Sequence, residues 1–182
     1  MTDAEIIEEV LGGRHDAYRG IVDRYYGDCV AFANRMLGNR QDAEDALQET
    51  FLRAYRALGS YRHSDRFRPW LFRILVNQCR TLARHRRRYN ASFDPVSDTD
   101  FNHQGGRVDP TDQETEARDL LGKLLERLEP SLREAFLLKH GEGLEYSEMA
   151  EVTGASISAL KMRVKRACDA MRPYLEDLHE RV

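Results

Sequence analysis

The sequence predicts an all-α protein with two small helical domains joined by a flexible linker, the C-terminal domain containing a helix-turn-helix. Ala, Leu, Glu and Arg are abundant and only 5 of the 182 residues are Pro, a composition that favours helix. Apolar residues recur at helical spacing in both halves of the chain. Between Tyr89 and Thr111 that spacing disappears, and Asp, Ser, Asn, Gly and Pro predominate, which is typical of a linker. We therefore expect domains at 1–88 and 113–182 and a linker at 89–112.

Four helices are expected in the first domain. The first follows a cap at Thr2 or Asp3 and ends at a glycine pair. The second comprises "YRGIVDRYYGDCVAFANRML", and the third extends roughly from Gln41 to Leu58 with one apolar stripe. After the polar loop "SYRHSDRFR" the fourth helix begins near Pro69, because proline is tolerated in a first turn.

The second domain begins with a helix from about Gln113 that "ERLEP" interrupts. Ser131 and Glu134 have the spacing of a capping box, which predicts the start of the next helix. A short helix, a tight turn at Gly154 and a longer helix capped by Ser156 then form the helix-turn-helix. The apolar residues of the longer helix that are expected to face inward are Ile157, Leu160, Val164, Ala167 and Met171.

The outward face of that longer helix is basic. Lys161, Lys165 and Arg166 could contact guanine edges and phosphates if the N-terminal half of the helix entered a major groove. Short helix pairs with a glycine turn are also ordinary packing units. The basic face favours DNA binding over that alternative.

Charge is distributed unevenly along a chain whose net charge is only −3. Residues 53–88 hold eleven arginines and one acid, a net charge of +10. Residues 1–52 and 89–130 each have a net charge of −6. A basic block between acidic segments is the electrostatic footprint of a polyanion-binding face.

Aromatic residues are interleaved with the arginines of the basic block. Trp70 lies on an apolar stripe and could be core, whereas Tyr61 and Phe67 lie in or beside the polar loop and are expected to be exposed. Duplex DNA needs only the arginines, but unpaired bases gain about 1–3 kcal/mol each from stacking on aromatic rings. The block therefore predicts a site for single-stranded nucleic acid.

A third pattern is acidic. Asp42, Asp45, Gln48 and Glu49 share one face of the third predicted helix, away from its apolar stripe. From spacing alone this face is either solvated or a docking surface for a protein, and both interpretations stay open.

Several functional classes are disfavoured. The N-terminus "MTDAEIIEEVLGG" is acidic where a signal peptide is basic, and no segment approaches the ~20 apolar residues of a membrane span, so we expect a cytoplasmic protein without membrane insertion. Cys29, Cys79 and Cys168 are too widely spaced for a disulfide framework or a zinc site. With no nucleophile elbow and no glycine-rich phosphate loop, we expect no catalytic residue, metal or cofactor, and no enzyme.

Three stretches in this order carry a family resemblance: "DAEDALQETFLRAYRAL", then "FRPWLFRILVNQCRTLARHRRR", then "LERLEPSLREAFLLKHGEGLEYSEMAEVTGASISALKMRVKRA". Together they resemble the extracytoplasmic-function (ECF) sigma factors, small members of the sigma-70 family of bacterial RNA polymerase initiation factors. The resemblance covers roughly Arg14 to Leu175. It implies a factor that binds core polymerase, directs it to promoters through −35 and −10 elements and helps to open the DNA.

The resemblance also implies roles for individual residues. Docking on the beta-prime clamp helices of core polymerase would use Asp42, Asp45, Gln48, Glu49 and Leu52. The −10 element, with its unpaired bases, would be held by Tyr61, Arg62, His63, Arg66, Phe67, Arg68, Arg73, Asn77, Arg80, Arg84 and Arg87. The duplex −35 element would be read by Ser156, Ser158, Ala159, Lys161, Met162, Arg163, Lys165 and Arg166. Thr81 departs from the Asp or Asn that the family often has at that position. Other implied partners are the beta subunit and an anti-sigma factor.

Two alternatives compete with this interpretation. A stand-alone helix-turn-helix regulator usually dimerises on paired half-sites, but no dimer seam is visible and the basic aromatic block would have no purpose. An adaptor that binds polymerase without DNA is disfavoured by the basic face of the last helix.

Overall fold

The predicted all-α fold is confirmed by the computed structural model, which describes residues 1–62, 66–92 and 112–179 and their side chains at 1–62, 66–89 and 120–174. No strand occurs among these residues. The chain divides into two compact units, Met1–Phe101 and Asn102–Val182. Most of the expected linker, together with His63, lies outside the described residues.

In the first unit the described α-helices are α1 (Asp3–Leu11), α2 (Arg19–Leu37), α3 (Arg40–Ala57) and α4 (Phe67–Ser92). Short 3₁₀ turns at His15–Tyr18 and Leu58–Ser60 follow α1 and α3. Thr2 caps α1 in a capping box with Glu5, and the side chain of Asn39 caps α3. Gly38, in a left-handed conformation with φ of 64°, allows α2 to end and α3 to begin within two residues.

The core of the first unit forms where α4 packs against α2 and α3. Its buried side chains on α4 recur at the helical period: Phe67, Leu71, Phe72, Leu75, Val76 and Cys79. The helix α4 begins at Phe67, two residues before the start expected near Pro69, and the buried Phe67 belongs to its apolar stripe.

In the second unit the α-helices are α5 (Asp112–Arg127), α6 (Pro130–Phe136), α7 (Tyr146–Thr153) and α8 (Ile157–His179), with a π-helical turn at Leu137–Gly141. The capping box expected at Ser131 and Glu134 is wrong. Pro130 takes the first position of α6, Glu129 is the N-cap, and the Ser131 hydroxyl donates to the Glu129 carboxylate at 2.7 Å. Glu134 is buried instead of reaching back to a cap.

The helix-turn-helix consists of α7, the turn at Gly154 and α8. Gly154 has a φ of 73°, the left-handed conformation expected of a tight helix connection. The Ser156 hydroxyl accepts a hydrogen bond from the Ala159 amide at 3.2 Å, which confirms the cap of α8. Ile157 is 43% exposed, so its inward placement was wrong: the stripe begins one turn later, at the fully buried Leu160.

Among the described residues, none of the helices has the length and apolar character that crossing a membrane requires.

Candidate nucleic-acid and protein interfaces

The acidic face of α3 borders a groove between α3 and α4. Four of the residues expected to dock on polymerase lie along it, and α4 supplies the opposite wall. The groove has a volume of about 420 Å³ and is lined by Asp45, Gln48, Glu49, Leu52, Gln78, Thr81 and Leu82. Leu52 is 40% exposed. Carboxylates around an accessible apolar side chain are suited to a partner that presents basic and apolar residues together. The three α4 residues were missed because nothing in one helix's own pattern reveals its neighbour across a groove.

Arginines of the same unit contact this acidic face. Arg53 bonds to Glu49 on the same helix at 2.5 Å, and Arg86, near the end of α4, is 3.5 Å from the carboxylate of Asp42. Such surface pairs contribute at most about 1 kcal/mol each, so a partner can displace them at low cost.

A stripe of four arginines and one asparagine follows α4 from residue 73 to residue 87. Its members recur at intervals of four and three residues, which places them on one face of the helix: Arg73, Asn77, Arg80, Arg84 and Arg87. All of these side chains are exposed except that of Arg80, which is half-buried. A straight row of guanidinium groups of this kind matches the repeating phosphates of a nucleic-acid backbone.

Aromatic rings cluster at the beginning of α4. Phe67 lies 5.3 Å from Trp70 and 5.5 Å from Tyr61, measured between ring centroids, and Tyr61 lies 5.0 Å from Trp70. Phe67 is only 2% exposed, so the expectation that its ring is exposed was wrong, and it offers no face to a base. The signal was available, because Phe67, Leu71 and Leu75 follow one helical stripe. Tyr61 and Trp70 are half-buried and retain some exposed ring surface.

Tyr61 contacts the backbone immediately before α4. The Tyr61 hydroxyl accepts a hydrogen bond from the amide of Arg66 at 3.2 Å. Arg62 and Arg66 are exposed beside it. Arg68 is oriented differently: its guanidinium lies 3.2 Å from the Asp28 carboxylate and 5.2 Å from the centroid of the Phe72 ring, so it also holds α4 against α2.

Thr81, the position that departs from the family pattern, turns back onto its own helix. Its hydroxyl donates to the carbonyl of Asn77 at 2.8 Å, and the Arg84 guanidinium lies 3.5 Å from its oxygen. The short side chain therefore also contacts one arginine of the α4 stripe.

The recognition surface of α8 has the expected outward set. Ser158, Lys161, Met162, Lys165 and Arg166 are exposed, with Ser156 exposed at the cap and Ala159 and Arg163 half-buried at the edges. Sequence reasoning missed Tyr146 at the start of α7, whose ring centroid lies 5.7 Å from the Lys161 ammonium and 5.0 Å from that of Lys139. Cation–π attraction of this kind restrains the Lys161 side chain on the exposed face of α8.

The cysteines are not arranged for chemistry in the described part of the chain. Cys29 and Cys79 are buried, while Cys168 is half-buried with its sulfur 3.8 Å from Nε2 of His140. Burial, followed by the nearby Asp169, raises the pKa of the Cys168 thiol, which disfavours the reactive thiolate. No group of three or more His, Cys, Asp or Glu side chains that could hold a metal occurs among the described residues.

A helical unit with a basic, aromatic face and an acidic groove, followed by a helix-turn-helix unit, is typical of a transcription factor that has both DNA and a protein as partners. Comparison with known proteins specifies the kind. Residues 21–89 match the family Sigma-70 region 2, and residues 118–171 match Sigma-70, region 4. The chain belongs to the sigma-70 family, in its ECF group. It is a transcription initiation factor that directs RNA polymerase to promoters, not a stand-alone regulator.

Similar proteins align along nearly the whole chain. The ECF RNA polymerase sigma-E factor of Escherichia coli K12 is 29% identical over 188 residues, covering 100% of this chain and 98% of that protein. RNA polymerase sigma factor CarQ of Myxococcus xanthus is 31% identical over 172 residues, covering 94% of this chain and 97% of CarQ.

Two solved structures have the same fold. CnrH, in complex with the cytosolic domain of CnrY, superposes with a TM-score of 0.70 at 26% identity, covering 96% of this chain and 97% of CnrH. The sigma factor RpoE of Bartonella quintana, in complex with the anti-sigma factor NepR, also has a TM-score of 0.70, at 27% identity, covering 87% of this chain and 96% of RpoE.

Proposed function

We propose that the two units divide promoter recognition between them: the first docks on core polymerase and holds the unpaired −10 element, and the second reads the −35 element as duplex. The observation that carries this proposal is the pairing, in one unit, of an acidic groove on α3 with an arginine stripe along α4. Surfaces of opposite charge on neighbouring helices suit two partners of opposite charge at the same time.

Docking is assigned to the α3 side of the groove. Asp45, Gln48 and Leu52 are exposed there, and Glu49 and Asp42 make only surface ion pairs. These residues would bind the beta-prime clamp helices, with displacement of Arg53 and Arg86 as a small cost. The beta subunit is a further expected contact, for which we assign no residues.

The −10 element is assigned to α4 and the loop before it. The arginine stripe would track the backbone of the non-template strand, while Tyr61 and Trp70 would provide ring surface for unstacked bases. Unstacking a base costs a few kcal/mol, which such contacts can offset. Phe67 would act beneath these rings as their support rather than as a stacking partner.

The −35 element is assigned to α8. Lys161, Lys165 and Arg166 would contact base edges and phosphates in the major groove, and Tyr146 would hold Lys161 in place. Acting by binding alone, the protein would need no catalytic residue, and it would work in the cytoplasm, where polymerase and chromosome meet.

An anti-sigma factor is included among the proposed partners. Support comes from the similar Bartonella quintana RpoE, whose structure contains the anti-sigma factor NepR. A regulator of this kind would keep the initiation factor from polymerase until it is needed.

Reconstituted transcription tests the proposal. Purified core polymerase, this protein and a genomic DNA library would be combined, and transcript 5′ ends mapped with and without the protein. We expect protein-dependent starts that share two upstream motifs. Absence of such starts, together with site-specific binding of the protein alone to duplex DNA, would contradict the proposal.

A further inference from the structure

The N-terminal helix α1 contacts residues that support the aromatic cluster to which −10 capture is assigned. On one side α1 packs against the 3₁₀ turn Leu58–Ser60, which leads directly into Tyr61. On the other side the carboxylate of Asp3 accepts a hydrogen bond from the hydroxyl of Tyr25 at 2.5 Å. One helix, remote in sequence from the loop, thus contacts the supports of both of its ends.

Tyr25 connects Asp3 to the aromatic cluster under the loop. It is 7% exposed, and its ring centroid lies 5.5 Å from that of Phe67. Phe67 in turn contacts Tyr61 and Trp70 at 5.5 and 5.3 Å. The contacts therefore continue without a break from a carboxylate on α1 to the two rings that retain exposed surface.

We propose that α1 braces the aromatic cluster of Tyr61, Phe67 and Trp70, and that Asp3 and Tyr25 are positioning residues, which set the orientation of Tyr61 and Trp70 through Phe67. This inference rests on the proposed function of that face. Asp3 and Tyr25 themselves touch no DNA.

The hydrogen bond between Tyr25 and Asp3 does more than attach α1 to the rest of the unit. The apolar side chains Ile6, Ile7 and Val10 already bury one face of the helix. A hydrogen bond to a carboxylate adds direction, because it holds the phenol ring at one rotation and one depth. Arg24 keeps the acceptor in place, since its guanidinium binds both the Asp3 carboxylate and the carbonyl of Met1, the latter at 2.6 Å.

The support can transmit a displacement because the cluster is tightly packed. Phe67 is almost completely enclosed. No free volume surrounds its ring, so when the Tyr25 ring shifts, the Phe67 ring must shift with it. A small reorientation at Tyr25 is then passed to Tyr61 and Trp70, whose faces must match the bases they hold.

The test uses four variants of the full chain assembled with core polymerase: Tyr25→Phe, Asp3→Ala, the double variant and Asp3→Asn. Tyr25→Phe keeps the ring and removes only the hydroxyl, while Asp3→Asn retains an oxygen that can accept. Glu8→Ala, at an exposed carboxylate of the same helix, controls for the lost negative charge. The probe is a fluorescent single-stranded oligonucleotide with the non-template −10 sequence, measured beside core affinity and permanganate reactivity of unpaired promoter thymines.

We expect Tyr25→Phe and Asp3→Ala each to weaken oligonucleotide binding about threefold to tenfold, the range of one lost hydrogen bond. The double variant should lose no more than either single one, because both remove the same bond. Permanganate reactivity should fall together with oligonucleotide binding in Tyr25→Phe and Asp3→Ala, and Asp3→Asn should recover most of both. Core affinity should stay within about twofold, and Glu8→Ala should not weaken oligonucleotide binding, since removing an acid favours a polyanion.

Three results would overturn the inference: unchanged oligonucleotide binding in both single variants, additive losses in the double variant, or equal losses of oligonucleotide and core binding. The last would mean that α1 only stabilises the unit. Failure of the unmodified assembly to bind the oligonucleotide would instead overturn the proposed function, and this inference with it.

Discussion

Lys165 lies on the exposed face of α8, one turn beyond Lys161. If each lysine neutralises one phosphate, replacing either by alanine should reduce the slope of log affinity against log salt by about 0.9. The measurement is binding of a −35 duplex by the assembled polymerase over a range of salt concentrations. Lys123→Ala, an exposed lysine of α5 in the same unit, is the matched control and should leave the slope unchanged. Weaker binding with an unaltered slope would mean that the lysine contacts a base edge instead.

Tyr25 predicts a pH dependence of stability. Burial and the hydrogen bond to Asp3 raise the pKa of its hydroxyl well above the usual value near 10. In the unfolded chain the phenol ionises near pH 10, whereas in the folded chain it stays protonated, so the stability it contributes is complete below that pH and is lost as the pH rises further. We expect the free energy of unfolding of the unmodified protein to fall faster between pH 9.5 and 11, about the range where free tyrosine ionises, than that of Tyr25→Phe. Urea denaturation at each pH measures this, and parallel curves would contradict it.

Individual side chains show where prediction from the sequence succeeded and where it failed. The exposed residues of α8 could be predicted because the helical period alone places its basic residues opposite its buried stripe. Phe67 was misplaced because its position beside a polar loop outweighed its place in the stripe of α4. Ile157 has an inward phase, but it is the first residue of α8 and is 43% exposed. Burial at a helix end depends on which neighbouring element covers it, and the periodicity of one helix carries no information about its neighbours.

At the scale of elements, α3 should bind polymerase through its acids. Replacing Asp45 and Glu49 together by lysine should abolish core binding, since two favourable charges become repulsive at a partner of opposite sign. Far-ultraviolet circular dichroism and the unfolding midpoint should change little, because Asp45 is exposed and the Glu49–Arg53 pair contributes only about 0.5 kcal/mol.

Asp23→Lys provides the control for this experiment. Asp23 is an exposed acid on α2, and it pairs only loosely with Arg19 at 3.8 Å. Core affinity should survive that reversal. If core polymerase still bound the α3 double variant, the docking face would have to be elsewhere.

Two glycines, one in the turn between α7 and α8 and one inside α2, should respond to alanine substitution with opposite signs. Gly154 has a φ of 73°, and no atom lies within 4 Å of the place a Cβ would take, so Gly154→Ala should destabilise by about 1–2 kcal/mol through backbone strain alone. Gly27 lies inside α2, also with open space around it, and Gly27→Ala should stabilise by about 0.5–1 kcal/mol. Urea unfolding of the two variants measures both signs. Stabilisation by Gly154→Ala would show that the turn does not depend on the left-handed conformation.

Helix boundaries show when capping residues alone predict where a helix begins. Ser156 was predicted as the cap of α8, and the cap of α1 was predicted at Thr2 or Asp3, of which Thr2 is the one observed; no competing signal lies beside either position. At α6 two signals competed, a capping box at Ser131 and a proline at position 130. Proline prevailed because its fixed φ suits the first helical position and it has no amide that needs a cap.

On the scale of the whole molecule, the order of two helical units and the charge of each segment were readable from the sequence, because both depend on residues close in the chain. The α3–α4 groove was not, since Gln78, Thr81 and Leu82 meet the acidic residues of α3, about thirty positions away along the chain, only through packing between two helices. The brace formed by α1 was missed for the same reason: Asp3 and Tyr25 are 22 residues apart and meet only in the fold.

The division of charge leads to a prediction for the intact chain. The basic block of residues 53–88, at +10, would bind any DNA, but acidic segments at −6 flank it on both sides in sequence. We infer that these acids, and the need for core polymerase, limit binding by the free protein. Fluorescence anisotropy with promoter duplex should therefore give weak binding for the protein alone and, at the same salt, at least about a hundredfold tighter binding with core, the low end of what a linked second interaction provides. A scrambled duplex is the control. Tight, sequence-specific binding without core would contradict this inference, since the two DNA-binding units would then need no polymerase to act together.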